Sequence, residues 1–405
     1  MRDEMKKVPR LRFRGFQEDW ELCKFEKLTD FFSGLTYSPD NVQKDGTFVL
    51  RSSNVKDNAI VSADNVYVRN EVANSEHVQV GDVIVVVRNG SRSLIGKHAP
   101  INREMPNTVI GAFMTGLRSP SPKFLKALLD TQQFNVEIHK NLGATINQIT
   151  TGEFKRMHFT VPIDEDEKEK IGSLFRQLDD IIALHQRKLD QLKELKKAYL
   201  QVMFPVKDER VPKLRLADFE GEWEQCKFFD MWEKSSDRNK ELKYSSKDVL
   251  SVAKMTKNPV ERNSSDEYMK TYNILHYGDI AFEGNKSKDY SFGRFVLNNL
   301  QDGIVSHVFI VFKPKVKMDI DFMKVYINNE YFMKHHLVKA TTKTLMMTTL
   351  NVQDMNKQKL RIPSLNEQER IGKFFKELDH AITLHQNKLT QLNSLKKSYL
   401  QNMFI

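Results

Sequence analysis

The chain has 405 residues, 40% of them hydrophobic and 29% charged, and a formal net charge of +10. Those values describe a soluble globular protein of two to four domains. There is no run of 18 apolar residues and no apolar signal core in residues 1–10, which excludes a membrane-spanning helix and predicts a cytoplasmic location without a membrane partner.

The first half opens on Val8-Pro9-x-Leu11-Arg12, followed by Phe16, Trp20 and Cys23-Lys24-Phe25. Short runs that alternate apolar and polar residues predict strands at 47–50, 65–68 and 83–87. Gly81-Asp82 precedes the last of these, and Gly96-Lys97 marks the next strand. Between them lies the polar loop Arg88-Asn89-Gly90-Ser91-Arg92, and upstream is Arg51-Ser52-Ser53-Asn54. A helical stretch is predicted over 123–141, and a second polar loop, Gly143-Ala144-Thr145-Ile146-Asn147, precedes the final strand. Val161-Pro162 and an acidic turn then lead into a long helix, where acidic residues suit the positive end of the helix dipole.

The second half repeats this plan. Val211-Pro212-x-Leu214-Arg215 with Phe219, Trp223 and Cys226-Lys227-Phe228 restates the opening, about 200 residues further on. Gly278-Asp279 and Gly293-Arg294 restate the glycine pairs, enclosing Asn285-Lys286-Ser287-Lys288. An apolar run at 304–312 predicts a strand and 321–337 a helix. The loop Ala340-Thr341-Thr342-Lys343-Thr344 stands where the first half has 143–147. Residues 171–204 and 371–404 align without a gap and agree at 21 of 34 positions. A unit of fixed length used twice is the dominant sequence signal.

The two terminal helices carry matching apolar seams: Ile171, Phe175, Leu178, Ile182, His185, Leu189, Leu192, Tyr199 and Met203, against Ile371, Phe375, Leu378, Ile382, His385, Leu389, Leu392, Tyr399 and Met403. Spacings of four and three over five heptads predict a coiled coil. A helix of roughly 35 residues is about 50 Å long. Only about six residues separate Phe204 from Val211, a reach of roughly 20 Å, so the second unit must start at the far end of the first helix. Antiparallel pairing of the helices, with a head at either end, is the expectation. His185 and His385 read as a polar layer that sets register, not as metal ligands. Lys196-Lys197 and Lys396-Lys397 read as solvated faces, and Cys23 and Cys226 as reduced thiols.

The predicted fold is therefore α+β: two pseudo-symmetric mixed α/β heads, residues 1–163 and 206–363, separated by two long antiparallel coiled-coil helices, residues 164–205 and 364–405. Divergent loops on a repeated scaffold suit recognition. Arg, Asn, Ser, Thr and Lys side chains pair with base edges or phosphates. Candidate DNA-binding residues are Arg51, Ser53, Asn54, Arg88, Asn89, Ser91, Arg92, Lys97, Thr145 and Asn147 in head one. Head two supplies Asn285, Lys286, Ser287, Lys288, Arg294, Thr342 and Lys343. Enzyme motifs are missing. Gly90 to Gly96-Lys97 has one residue too many for a phosphate-binding loop, and His98 replaces the hydroxyl residue. No catalytic or metal-binding residue is predicted. Two alternatives stay open: an enzyme fused to a specificity region, and a coiled-coil scaffold whose heads bind something other than DNA.

The repeated Leu-His-Gln-x-Lys-Leu…Leu-Lys-Lys-x-Tyr-Leu-Gln-x-Met-Phe helices, with Pro363 and Glu367-Gln368-Glu369-Arg370-Ile371 before the second, resemble the specificity subunit of type I restriction-modification systems. The resemblance covers the full length. The approach to the first helix, 164–170, is one residue longer and lacks the Glu-Gln pair. The family implies that each head is a target-recognition domain reading one half of a split DNA site, and that the helices set the spacer. It also implies partners: two modification subunits that use S-adenosylmethionine to methylate adenine, and restriction subunits that use ATP with Mg. No cofactor is expected on this chain.

Overall fold

The computed structural model describes residues 8–142, 147–257, 265–285, 290–343 and 347–405. The chain divides into two compact units, residues 1–186 with 387–405, and residues 187–386. Each unit combines one head, the N-terminal part of the long helix that follows it, and the C-terminal part of the other long helix.

In unit one, a four-stranded antiparallel sheet has the order Asp30–Ser33, Met114–Arg118, Val83–Val86, His98–Pro100. Every residue of Val83–Val86 is buried, because this inner strand is covered on both faces. A second sheet runs Thr108–Ile110, Thr47–Leu50, Val66–Val68, Val42–Gln43, its first pair parallel. In unit two, the sheet Trp232–Lys234, Ile310–Pro314, Ile280–Glu283, Arg294–Leu297 repeats the order of the first, strand for strand. A two-stranded ribbon closes each head: Glu21–Lys24 with His158–Val161, and Glu224–Lys227 with Lys359–Ile362. The α+β assignment holds.

Three sequence-based boundaries change for local reasons. The helical stretch 123–141 is two helices, Pro122–Leu129 and Gln132–Asn141, because the Thr131 hydroxyl accepts the Phe134 N–H and starts a new helix. Likewise 321–337 is Ile320–Ile327 and Glu330–Ala340, with the Asn329 side chain capping the second. The apolar run 304–312 is two strands, Gly303–Val305 and Ile310–Pro314, with a turn closed by Phe309 N–H to Ser306 O at 3.1 Å.

The long helices are Glu165–Val202 and Leu365–Met403. Within unit one they run antiparallel: Phe175 meets Phe404, and Asp179 meets Lys396 at 2.6 Å. Within unit two the same holds, with Phe375 against Phe204 and Asp379 against Lys196. Leu178, Leu189, Leu378, Leu389 and Leu392 of the seam are buried; Ile182, His185, Leu192, Tyr199, Ile382, His385 and Tyr399 are half-buried. Gly172 and Gly372 let each long helix lie against its own head. A Cβ there would stand 2.5 Å from Phe124 N and 2.6 Å from Phe322 N respectively.

The lysine pairs split: Lys197 and Lys397 are exposed, as expected, whereas Lys196 and Lys396 are half-buried in ion pairs. Lys396 sits in a buried cluster with Asp130 at 2.7 Å and Asp179, which Lys126 also joins. His98 Nε2 lies 3.0 Å from Asp130, and Asn58 donates to it at 2.8 Å. Burial alone would lower the Lys396 ammonium, but Asp130 and Asp179 outweigh it and push it up to about 12. In unit two Asn328 stands where unit one has Asp130, and its Oδ1 has no partner among the described residues. Lys196, Lys324, Asn328, Glu330 and Asp379 line a cavity of about 520 Å³ there. Cys23 is buried and Cys226 half-buried, both as free thiols.

The paired Gly-Asp motifs open the inner strands. Gly81 and Gly278 have φ of +98° and +92°, a conformation that favours glycine. Each following aspartate closes its own turn, Asp82 accepting Gln79 N–H at 2.8 Å and Asp279 accepting His276 N–H at 2.9 Å. Arg118 then clamps Asp82 with two bonds of 2.8 Å. Asp279 is 3% exposed and has no such clamp among the described residues, and burial pushes its carboxyl up to about 6. An unfolded aspartate titrates near 3.9. The folded state therefore loses stability as pH climbs from about 4 to 6, by up to about 3 kcal/mol. Asp279→Asn should raise the melting temperature at pH 8 and leave it nearly unchanged at pH 4. Equal shifts at both pH values would rule out the buried charge as the cause.

Candidate nucleic-acid interface

The polar loops that the sequence marks separately are joined in space. In head one, Arg88 bridges to Gln148, Asn89 N–H reaches Asn147 O at 3.3 Å, and Asn147 Nδ2 donates to Gly90 O at 3.1 Å. Asn89 Nδ2 donates to Ser52 Oγ at 3.1 Å, which brings in the third loop. In head two, Asn285 bridges to Met347, and Thr348 N–H reaches Gly284 O at 2.8 Å. The strands Thr341–Lys343 and Thr348–Leu350 form the hairpin that carries Thr342 and Lys343. The same two chain segments meet in both heads, with different side chains.

The candidates divide by what their polar atoms already hold. Ser53, Arg88, Ser91, Arg92 and Lys97 are exposed, as are Asn285, Thr342 and Lys343; Arg51, Asn89 and Asn147 are half-buried. Arg51 also braces its own loop, its guanidinium donating to Asp64 O. Asn54 is a correction. It is wholly buried, and its amide donates to Val61 O, Ala63 O and Asn65 Oδ1, so it holds the loop from within. Arg294 is another: its Nε is 2.7 Å from Glu283 and its Nη2 donates to Ala253 O. Lys97, at the matching repeat position, stays exposed. Thr145, Lys286, Ser287 and Lys288 lie outside the described residues.

Aromatic rings next to these cations escaped the sequence reading. Phe113 is 49% exposed, and the Arg88 guanidinium stands 4.9 Å from its ring centre. In head two, Lys343 Nζ lies 3.6 Å from the centre of the Phe292 ring. Cations on aromatic faces are held in place at little entropic cost. Basic side chains interleaved with rings suit a nucleic-acid surface. Nothing in the local pattern around Phe113 announces it, since an isolated phenylalanine before a strand reads as core.

A structural pair was also missed. Arg12 makes two bonds to Glu167, at 2.7 and 2.8 Å, and Arg215 two bonds to Glu367, at 2.8 and 2.7 Å. These pairs tie the opening segment of each half to the start of its long helix. The signal lay in the repeat, because both partners recur. Among the described residues, no group of His, Cys, Asp and Glu could hold a metal ion, and no helix is long and apolar enough to cross a membrane.

The profile of the type I restriction modification DNA specificity domain matches residues 17–194 and again 220–394. The StySPI type I restriction enzyme specificity subunit of Salmonella potsdam is 23% identical over 96% of this chain and 89% of its own length. The EcoKI specificity subunit of Escherichia coli strain K12 is 26% identical over 45% of this chain and 42% of its own. The S subunit of a type I restriction-modification system from M. genitalium superposes with a TM-score of 0.64 at 13% identity, over 98% of this chain and 99% of that one. A chain from a structural study of type I complex assembly superposes at 0.51 and 12% identity, over 95% and 97%. At these identities the superpositions speak for the fold, whereas the profile covers both halves, and the chain therefore belongs to the type I restriction-modification DNA specificity family, with two copies of its domain.

Proposed function

We propose that this chain is the non-catalytic, sequence-reading subunit of a type I restriction-modification complex. Domains 1–163 and 206–363 would each read one half of a bipartite DNA target, and helices 164–205 and 364–405 would set the gap. The observation that carries this is the joining of the same two loops in both heads with different side chains on them. A scaffold held constant while its contact residues change suits two readers of two different half-sites. The excess of 63 Lys and Arg over 53 Asp and Glu favours a polyanion.

The long helices offer docking surfaces for two modification subunits. Leu184 and Leu384, 60% and 59% exposed, occupy matched positions, as do the exposed Leu195 and Leu395. Apolar side chains exposed at equivalent places suit two copies of one partner. S-adenosylmethionine would be bound, and adenine methylated, on those subunits. ATP with Mg would be used by restriction subunits added to the complex. This chain would contribute address, not chemistry.

The test is a methylation map. The chain is expressed with its modification subunits in a methylation-free host, and modified adenines are located by single-molecule sequencing. One two-part motif with a fixed gap is expected. A one-part motif, or a stable complex that adds no methylation, would overturn the reading.

A further inference from the structure

We propose that Phe113 reads the 5-methyl group of a thymine in the half-site of head one, with Arg88 braced against its ring. The inference rests on the DNA-reading role above and names one residue that confers specificity within it.

Three observations lead there. The ring is 49% exposed, beside loops whose neighbouring positions are Arg88, Asn89 and Ser52. Its turn is rigid: Val87 N–H and Arg88 N–H both reach Phe113 O, at 3.0 and 3.2 Å, while Gly111 N–H reaches Leu50 O and Ala112 N–H reaches Leu35 O. An exposed apolar ring held this firmly costs little to order on binding. Finally, head two also sets a cation on a ring beside its polar loops, Lys343 on Phe292, although these residues lie on other segments than Arg88 and Phe113. A ring carrying a cation thus occurs in both heads, at a different place in each, which suits two heads that read different bases.

The chemistry narrows the contact. A phenyl ring gains nothing from phosphate oxygens, so on DNA it must meet sugar or base. Base faces in an intact duplex are already stacked, and inserting between them requires unstacking. The accessible apolar group on a base edge is the thymine methyl in the major groove. Arg88, held over the ring face, would then reach a neighbouring acceptor without first losing side-chain freedom.

The test uses the complex with its modification subunits and the target found by methylation mapping. Each thymine of the target duplex is replaced in turn by deoxyuridine, which removes only the methyl group. One replacement should weaken binding about tenfold. Phe113→Ala should bind the unaltered duplex about tenfold more weakly and no longer distinguish thymine from uracil at that position, while Phe113→Leu should retain most of the discrimination. Unchanged affinity and motif in Phe113→Ala overturns the proposal. So does a weakened Phe113→Ala when no deoxyuridine replacement affects the parent, since that points to a sugar or wedge contact. Either result leaves the recognition role standing, whereas a parent complex without a two-part motif removes that role before any variant is made.

Discussion

Insertion of one heptad after Gln186 and one after Gln386 is expected to lengthen the gap of the methylated motif by about three base pairs and abolish methylation at the original gap. Seven residues add about 10 Å of helix, and two full turns keep the apolar seam in phase. The insertions fall between Asp179 and Lys196 in one helix and between Asp379 and Lys396 in the other, so the ion pairs Asp179–Lys396 and Asp379–Lys196 are untouched. Each head keeps its loops, and the bases of both half-sites should stay the same. Three extra base pairs also turn the second half-site by roughly 100° around the duplex, so weaker methylation than the parent's is expected at the new gap. The methylation map of the variant decides the matter. An unchanged gap, or altered half-site bases, would defeat the idea that the helices measure the spacer.

Glu367→Ala should cost unit two about 3–5 kcal/mol of stability. The Glu367 side chain is 1% exposed, accepts two bonds from Arg215, and accepts the Trp223 indole N–H at 3.3 Å. Removing it strands a guanidinium that is only 17% exposed and a buried indole donor. Glu167→Ala should cost less, because the Trp20 N–H in unit one has no partner among the described residues. The paired change Arg215→Leu with Glu367→Leu should recover most of the loss, since two apolar groups leave no charge buried. Urea unfolding read by hydrogen exchange, which reports each unit separately, measures all three. A loss below about 1 kcal/mol in Glu367→Ala would mean that water reaches the arginine freely.

Local pattern carried much of the fold. The seams from Leu178 to Tyr199 and from Leu378 to Tyr399 were legible because helical periodicity is a property of neighbours in sequence. The repeated Gly81-Asp82 and Gly278-Asp279 were legible because a turn at positive φ is specified by the residues within it. The breaks at Thr131 and Asn329 went unread, although both are standard capping residues, because the apolar spacing runs straight through them.

The interface was less legible. Arg88, Asn89 and Asn147 were marked by residue type, and the fold brings those loops together. Whether a polar side chain is free to meet a partner depends on atoms far away in the chain. Asn54 spends its amide on three later residues of the same loop, and Arg294 is turned inward by Glu283. Lys396, read as solvated, is drawn into a cluster by Asp130, 266 residues earlier.

By itself, then, the sequence determined the duplication, the two long helices with their seam, the inner strands that follow the Gly-Asp motifs and the loops that vary between heads. All of these follow from spacings of two, three and four residues or from comparing one half with the other. Tertiary structure alone decided which of the polar residues remain available, that Phe113 stands exposed beneath Arg88, and that one unit buries Asp130 where the other has Asn328. Exposure and charge pairing are set by contacts between distant segments, and no local period encodes them.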